Sequence, residues 1–514
     1  MGSKIGDEKW PDISSESADS LADKPSQEPS EAETISLPHE IKFVGVICMA
    51  QFCTQAAFMG TLVLLRTIGN SFNVTSPPQL AWLVAGYSLT VGTFILISGR
   101  LGDVLGHKRM LLTGFSWFSI WSAIAGISVY SKSYKFAVFT RVLQGIGPAI
   151  CMPNALAILG TFYPPGPRKA MVFAIFGAVA PIGAVLGGVF ASLLALAWWP
   201  WSLWALAIWL AILAAAGHFV IPTPPKKTKQ IQNRDWKSIS ETLDLPGAFV
   251  GIVSLVLFNF AWTQAPIDGW PAPSVIVSLI FGVLLFGAFL LVEFKFSPMP
   301  LLPFDIVNAD VGFVLATTVC GWATFGIWTL YLVQILQDIR QLSPLLTITW
   351  FCPVAIVGAC AAVVMGKLFA LQVRPSIIMT LALLAFTAGS ILTALAPTDQ
   401  VYWGQIFVSM LIMPFGMDMS FPAATLILSN AVSKEHQGLS ASLVNTVVNY
   451  GITLGVAFAG TVEMHTHGKG GTMEDRLRGF LAALYMGVDL ADLGLIVCLV
   501  FLVTEFLRSP TRKG

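Results

Sequence analysis

Gly99-Arg100-Leu101-Gly102-Asp103-Val104-Leu105-Gly106-His107-Lys108-Arg109 is a charged, glycine-bearing turn between two apolar runs, 79–99 and 110–129. Each run has about the 20 residues that a helix needs to cross the hydrocarbon core of a bilayer. The turn between them belongs at a membrane surface. Gly99 and Gly106 permit a tight turn and close backbone approach. Asp103 sits where a helix leaves the membrane and calls for a cationic or helix-N-terminal partner. Lys108 and Arg109 hold the loop on the cytoplasmic side. Such a charge clasp can stabilise one arrangement of a helix bundle and release in another. The plain alternative is an ordinary basic turn.

Outward from this turn the same length rule gives fourteen spans. Six lie near 42–64, 79–99, 110–129, 136–159, 168–194 and 200–221, two near 246–264 and 273–292, and six near 310–334, 344–366, 375–395, 401–429, 438–460 and 480–506. The fold class expected is an all-α polytopic membrane protein with helices arranged as six, two and six. The domains expected are a solvated tail (1–40), a six-helix bundle (41–221), a linker (222–245), two additional spans (246–292), a linker (293–309), a second six-helix bundle (310–506) and a short tail (507–514).

Composition agrees. The chain has 514 residues, 55% apolar and only 11% charged, against about 25% charged in soluble domains. The net charge of +1 offers no field for nucleic acid. Residues 1–40 are polar and lack the apolar core of a cleavable leader, so the first span is expected to act as its own insertion signal. Cys48, Cys53, Cys151, Cys320, Cys352, Cys360 and Cys498 all lie in apolar runs without metal spacing and read as packing residues. His465 and His467 lie in a glycine-rich loop with no further ligand, which reads as solvated, with no metal or cofactor.

Orientation follows from the basic residues. With both termini cytoplasmic, 21 of the 29 Lys and Arg fall inside and seven outside: Arg66, Lys132, Lys135, Arg340, Lys469, Arg476 and Arg478. Asn73-Val74-Thr75 is then a glycosylation sequon at Asn73, in a short external loop.

An internal repeat is visible. Pro153-Asn154-Ala155-Leu156-Ala157-Ile158-Leu159 matches Pro422-Ala423-Ala424-Thr425-Leu426-Ile427-Leu428, and each copy leads through a polar turn into a Gly-bearing helix. Duplicated halves are how many carriers build two bundles that rock about a central site.

Several intramembrane residues carry the candidate mechanism. Arg141, in Arg141-Val142-Leu143-Gln144-Gly145, is costly inside a span and calls for a cavity or a partner, unless it snorkels to the outer interface. Asp418 lies near the middle of the twelfth span, in Gly416-Met417-Asp418-Met419-Ser420. A carboxyl there suits a proton carrier, neutral in one state and ionised in the other. It is the first choice for the titrating group, with a structural hydrogen bond as the alternative. Asp489 in the last span is a weaker candidate, while Asp244, Glu293 and Glu505 read as interfacial. Gly177, Pro181, Gly183, Gly187 and Gly188 form a small-residue seam with a helix-bending proline. Gln51 and Gln55 share a helix face, as do Asn445 and Asn449. These amides, with Gln144 and the aromatic Trp82 and Tyr87, are candidates to line a central cavity. They can equally bond between helices.

The 99–109 turn resembles the G-x-L-x-D-R-x-G-R-K loop of the major facilitator superfamily, with Val104 and His107 in place of two arginines. The stretch from Arg141 to Gly145 resembles that family's R-x-x-Q-G signature. The stretch from Gly177 to Pro181 resembles its antiporter motif, with Ala180 replacing a glycine. Together with fourteen spans, these features resemble the drug:proton antiporter branch, and the stretches Ser88 to Leu96, Tyr163 to Gly166, Trp198 to Trp201 and around Asp418 resemble more closely fungal aminotriazole-resistance-like efflux carriers. The resemblance implies Arg141 in proton coupling, export of toxic small molecules, protons and a small solute as partners, a monomer, and a plasma or vacuolar membrane. The absence of an acid in span one weakens the transfer of bacterial coupling schemes. Uptake or facilitated diffusion of a small inorganic solute of ammonium or borate type is the alternative. A non-transporting membrane sensor would call for a folded soluble module that no segment except the tail over 1–40 is long enough to supply. No nucleophile–base pair or phosphate loop suggests an enzyme.

Overall fold

The computed structural model describes residues 36–164, 166–222, 243–301, 309–431, 437–466 and 472–508. Among them are fourteen helices long and apolar enough to span a membrane. They are α1 (Leu37–Val63), α2 (Pro77–Leu105), α3 (His107–Ser131), α4 (Tyr134–Phe162), α5 (Met171–Ala195), α6 (Pro200–Val220), α7 (Leu245–Asp268) and α8 (Pro273–Phe296), then α9 (Ala309–Ile339), α10 (Pro344–Ala370), α11 (Pro375–Ala394), α12 (Gln405–Asn430), α13 (Ser442–Thr466) and α14 (Met473–Leu507). The tail over 1–35, most of the linker over 222–245, residues 302–308 of the second linker, His467 and the tail beyond 508 lie outside the described residues.

Local chemistry sets the helix ends. Proline opens α2, α6, α8 and α11, where a missing N–H costs nothing. Ser133 caps α4 by accepting from Phe136 N, and Asp244 caps α7 by accepting from Gly247 N. Gly106 ends α2 at φ 97°, a left-handed value that favours glycine. The turn of the 99–109 motif is therefore made at Gly106. Gly99 is helical and packs toward Ser442 and Pro153.

Helix pairing repeats. In the first half α1 packs on α5, α2 on α4, and α3 on α4 and α6. In the second half α9 packs on α13, α10 on α12, and α11 on α12 and α14. The two copies of the sequence repeat thus fall on equivalent helices, α4 and α12. The halves meet along two seams, α2 against α13 and α5 against α10. Helix α7 lies on the first seam and packs on both α2 and α13, with α8 outside it. Ile276, Ile280, Phe281, Val283 and Leu284 of α8 are exposed, as a surface solvated by lipid chains requires.

Small residues permit the closest approaches. A Cβ at Gly187 would sit 2.3 Å from Ala56 Cα, and one at Gly183 would sit 2.8 Å from the Phe52 backbone, so α5 lies directly on α1. Gly188 faces Ile348 of α10 instead, on the second seam. Gly177, a full turn and more below, meets nothing within 4 Å. The small-residue seam is therefore tight in its second part and open at its start.

Candidate functional site

The second seam carries the candidate coupling residue. Asp418 of α12 is half-buried, and its Oδ2 is buried with no hydrogen-bond partner among the described residues. A Cβ at Gly358 of α10 would sit 2.8 Å from Asp418 Oδ2 and 2.6 Å from Pro181 Cγ. The carboxyl, the glycine and the bend-forming proline of α5 thus converge where the two halves touch. An unpaired buried carboxyl is costly in its ionised form unless water or a cation reaches it.

Arg141 is buried within the first half. Its Nε donates to Leu83 O at 3.1 Å, its Nη2 to Ala57 O at 3.2 Å, and its Nη1 to Gln144 Oε1. The guanidinium lies 4.5 Å from the centre of the Tyr87 ring. Gln144 passes the chain on to Ser122 Oγ at 2.6 Å, and the Tyr87 hydroxyl donates to Thr54 O at 2.9 Å. No carboxylate forms an ion pair with Arg141 among the described residues.

This geometry corrects the cavity reading for three residues. Gln144 and Tyr87 are spent on bonds inside the first half. Trp82 turns the other way and donates to Gln264 of α7 at 3.1 Å, beside Phe260. Asn449 packs on Gly92 of α2 and donates to Asn445 O at 3.0 Å, which places both amides on the first seam. Gln51 and Gln55 are half-buried, and Gln51 Oε1 accepts no hydrogen bond among the described residues. Asp489 is exposed on α14, which packs on α9, α11 and α13, so it does not join Asp418.

The 99–109 motif is partnered differently from the expected clasp. Asp103 is largely exposed and lies 3.3 Å from His107 Nε2, while His107 Nδ1 lies 2.9 Å from Asn154 Oδ1 of α4. Asn154 donates onward to Ile150 O at 2.7 Å and Ser98 O at 3.3 Å. A Cβ at Gly102 would collide with this Asn154–His107 contact. Arg100 donates to Met299 O at 2.6 Å and to Pro300 O, beyond α8. Lys108 donates to Ile221 O at 2.5 Å, whereas Arg109 is exposed. Asp103 thus contacts its own half through His107, and Arg100 ties the motif to the segment that follows α8.

On the same face Glu40 is buried and accepts from the Tyr163 hydroxyl at 2.8 Å and Arg168 Nε at 2.9 Å. Burial and the Glu40 carboxylate hold the Tyr163 phenol well above its usual range, so it remains a donor. Glu40 belongs to α1, which starts at Leu37, before the expected boundary at 41.

On the opposite face the halves are latched. Arg66 Nη1 lies 3.2 Å from Asp338 Oδ1 and donates to Gln337 O at 3.0 Å. Gln337 Nε2 donates back to Val63 O at 2.8 Å. Neighbouring α13 carries Glu463, also buried, which accepts from the Tyr331 hydroxyl at 2.8 Å. Neither acid was singled out by the span reading. Asp338 and Glu463 lie four and three residues past its limits at 334 and 460, yet the helices run on to 339 and 466. Asn73, near this latch, is exposed at φ 57°. His465 is exposed, with Nδ1 2.7 Å from Thr461 O.

Two six-helix halves of repeated pairing, touching along two seams and latched on one face, define a membrane carrier. The chain belongs to the Major Facilitator Superfamily, whose model matches residues 47–456. It is 48% identical over 480 residues, 93% of this chain and 91% of the relative, to the low affinity ammonium transporter of Saccharomyces cerevisiae. It is 40% identical to efflux pump terG of Aspergillus terreus, covering 94% of this chain and 90% of that one. It is 35% identical to the aminotriazole resistance protein of Saccharomyces cerevisiae, covering 92% and 86%. The protein is thus a multi-pass membrane transporter of small molecules with fungal efflux-type relatives.

Proposed function

We propose that the chain exports small toxic molecules in exchange for protons by alternating access. The reading rests chiefly on Asp418, whose buried and unpartnered Oδ2 lies against Gly358 and Pro181 at the contact between halves. A proton arriving there removes the cost of burying charge and favours closure of the α5/α10 seam. Losing the proton favours opening, because the carboxylate then recovers water. The Arg66–Asp338 latch supports a state closed on that face, with both termini on the other. We assign the latched face to the outside, from the basic residues, and the termini to the cytoplasm of a plasma-membrane monomer. Rocking units over 41–221 and 310–506, with 246–292 as an added pair, follow the repeated pairing. The relatives named for efflux and for aminotriazole resistance support the direction.

The relative named for ammonium favours a second reading, in which the same fold conducts a small inorganic cation inward. Everted vesicles separate the two. Drug accumulation driven by an imposed proton gradient, lost in Asp418→Asn, supports exchange. Drug accumulation independent of the gradient, or unchanged in Asp418→Asn, overturns it.

A further inference from the structure

Beside the latch, four helices enclose a crevice of about 10 Å³, room for roughly one water. Pro77 and Pro78 of α2, Thr263 of α7, Gln334 of α9 and Glu463 of α13 are among its lining residues. Gly460, also in the wall, keeps a gap toward Pro266, where a Cβ would stand 3.6 Å from that ring. The site draws on both halves and on the added helix pair.

Its polar atoms are mostly acceptors. Glu463 lines the crevice, is 4% exposed and accepts from the Tyr331 hydroxyl at Oε2, with further lone pairs on its carboxyl group. Gln334 is 7% exposed, and its Oε1 is buried without a hydrogen-bond partner among the described residues. Thr263 gives its proton to Asn259 Oδ1 at 3.2 Å, so its oxygen has only lone pairs to offer. Among the described residues no Lys or Arg forms an ion pair with Glu463. The next acid along α9, Asp338, is already engaged by Arg66. When Glu463 is ionised, its carboxylate and the unfilled Gln334 oxygen call for a donor that also carries positive charge.

We propose that this crevice is a binding site for a small cation with N–H donors, ammonium or the head of a primary amine. The crevice has room for an occupant of water size, and a quaternary ammonium has no N–H to donate. Three oxygens from side chains suit tetrahedral N–H donation. They are too few for a hard metal cation of the calcium type, which gathers about six or more oxygens. The site stands whichever way the carrier runs, and its occupancy is readable without transport.

The test uses the purified full-length chain. Its thermal midpoint is followed by tryptophan fluorescence in ammonium, methylammonium, tetramethylammonium, sodium or potassium chloride at equal ionic strength. Ammonium and methylammonium raise the midpoint saturably, and the other three do not. In Glu463→Gln, which preserves the Tyr331 contact, the half-saturating concentration rises by about tenfold or more, as loss of a charge-assisted hydrogen bond implies. Gln334→Leu weakens binding by a smaller factor, and Glu474→Gln, an exposed acid on α14, leaves it unchanged. Equal responses to tetramethylammonium or the alkali ions, or no response to ammonium, overturn the proposal. So does an unaltered ammonium response in Glu463→Gln. If Glu463→Gln is not recovered folded, an unaltered response in Gln334→Leu does the same.

Discussion

Arg66 Nη1 stands 3.2 Å from Asp338 Oδ1, so one ion pair joins the short helix that follows α1, Leu65–Ser71, to the end of α9 across the two halves. Both side chains are partly exposed, at 47% and 22%, which limits the pair to about 0.2–1 kcal/mol. Arg66→Ala or Asp338→Asn is expected to shift the population toward the state open on this face by about five-fold at most, as that energy implies. A cysteine placed at Val63, in a background lacking the native cysteines, should be alkylated correspondingly faster. The exchange Arg66→Asp with Asp338→Arg should restore slow labelling. Unchanged labelling in both single variants would show that the Gln337–Val63 bond alone holds the face closed.

Gly358 admits nothing larger. A methyl group there meets Pro181 at 2.6 Å and Asp418 Oδ2 at 2.8 Å. Gly358→Ala should therefore hold the α5/α10 seam apart at a cost of about 1–3 kcal/mol. Transport should fall by about ten-fold or more while the protein remains monodisperse, measured as drug efflux from proteoliposomes. Gly366→Ala on the same helix, where nothing lies within 4 Å, should transport normally.

Much of the architecture was legible before any coordinates. Length and apolarity alone mark fourteen spans, because a bilayer imposes one helix length. The repeat at Pro153 and Pro422 already pairs α4 with α12. Side-chain direction was not legible. Tyr87 and Gln144 were expected at a cavity, but Arg141 gathers them inside the first half, since a buried guanidinium must satisfy its donors locally. Trp82 was drawn off by Gln264, a partner 182 residues away. Asp338 and Glu463 escaped because an apolar window ends at the first charge, whereas a helix whose charge has a buried partner continues.

Arg141→Ala removes the donors to Leu83 O, Ala57 O and Gln144 Oε1 together. Each group left unsatisfied costs about 1–3 kcal/mol. We expect a lower unfolding temperature in detergent and loss of transport together. Arg141→Lys should recover part of the stability, because lysine keeps the charge but not the fork. Full stability in Arg141→Ala with transport abolished would instead assign the arginine to coupling alone.

Gly187→Leu should destabilise more than Gly177→Leu. The first drives a side chain into Ala56, whose Cα is 2.3 Å from the Cβ position, and the second projects into open space. The difference should be about 1–3 kcal/mol or larger, read from chemical unfolding monitored by tryptophan fluorescence.

The added helix pair makes the carrier lopsided. Trp82 to Gln264 on one side and Tyr450 to Leu255 O, at 3.1 Å, on the other rivet α7 over the α2/α13 join. A greasy solute already dissolved in the bilayer is fenced off along that flank. The flank of α5 and α10, where Asp418 Oδ2 lies beside Gly358 and Pro181, is left for a sideways approach.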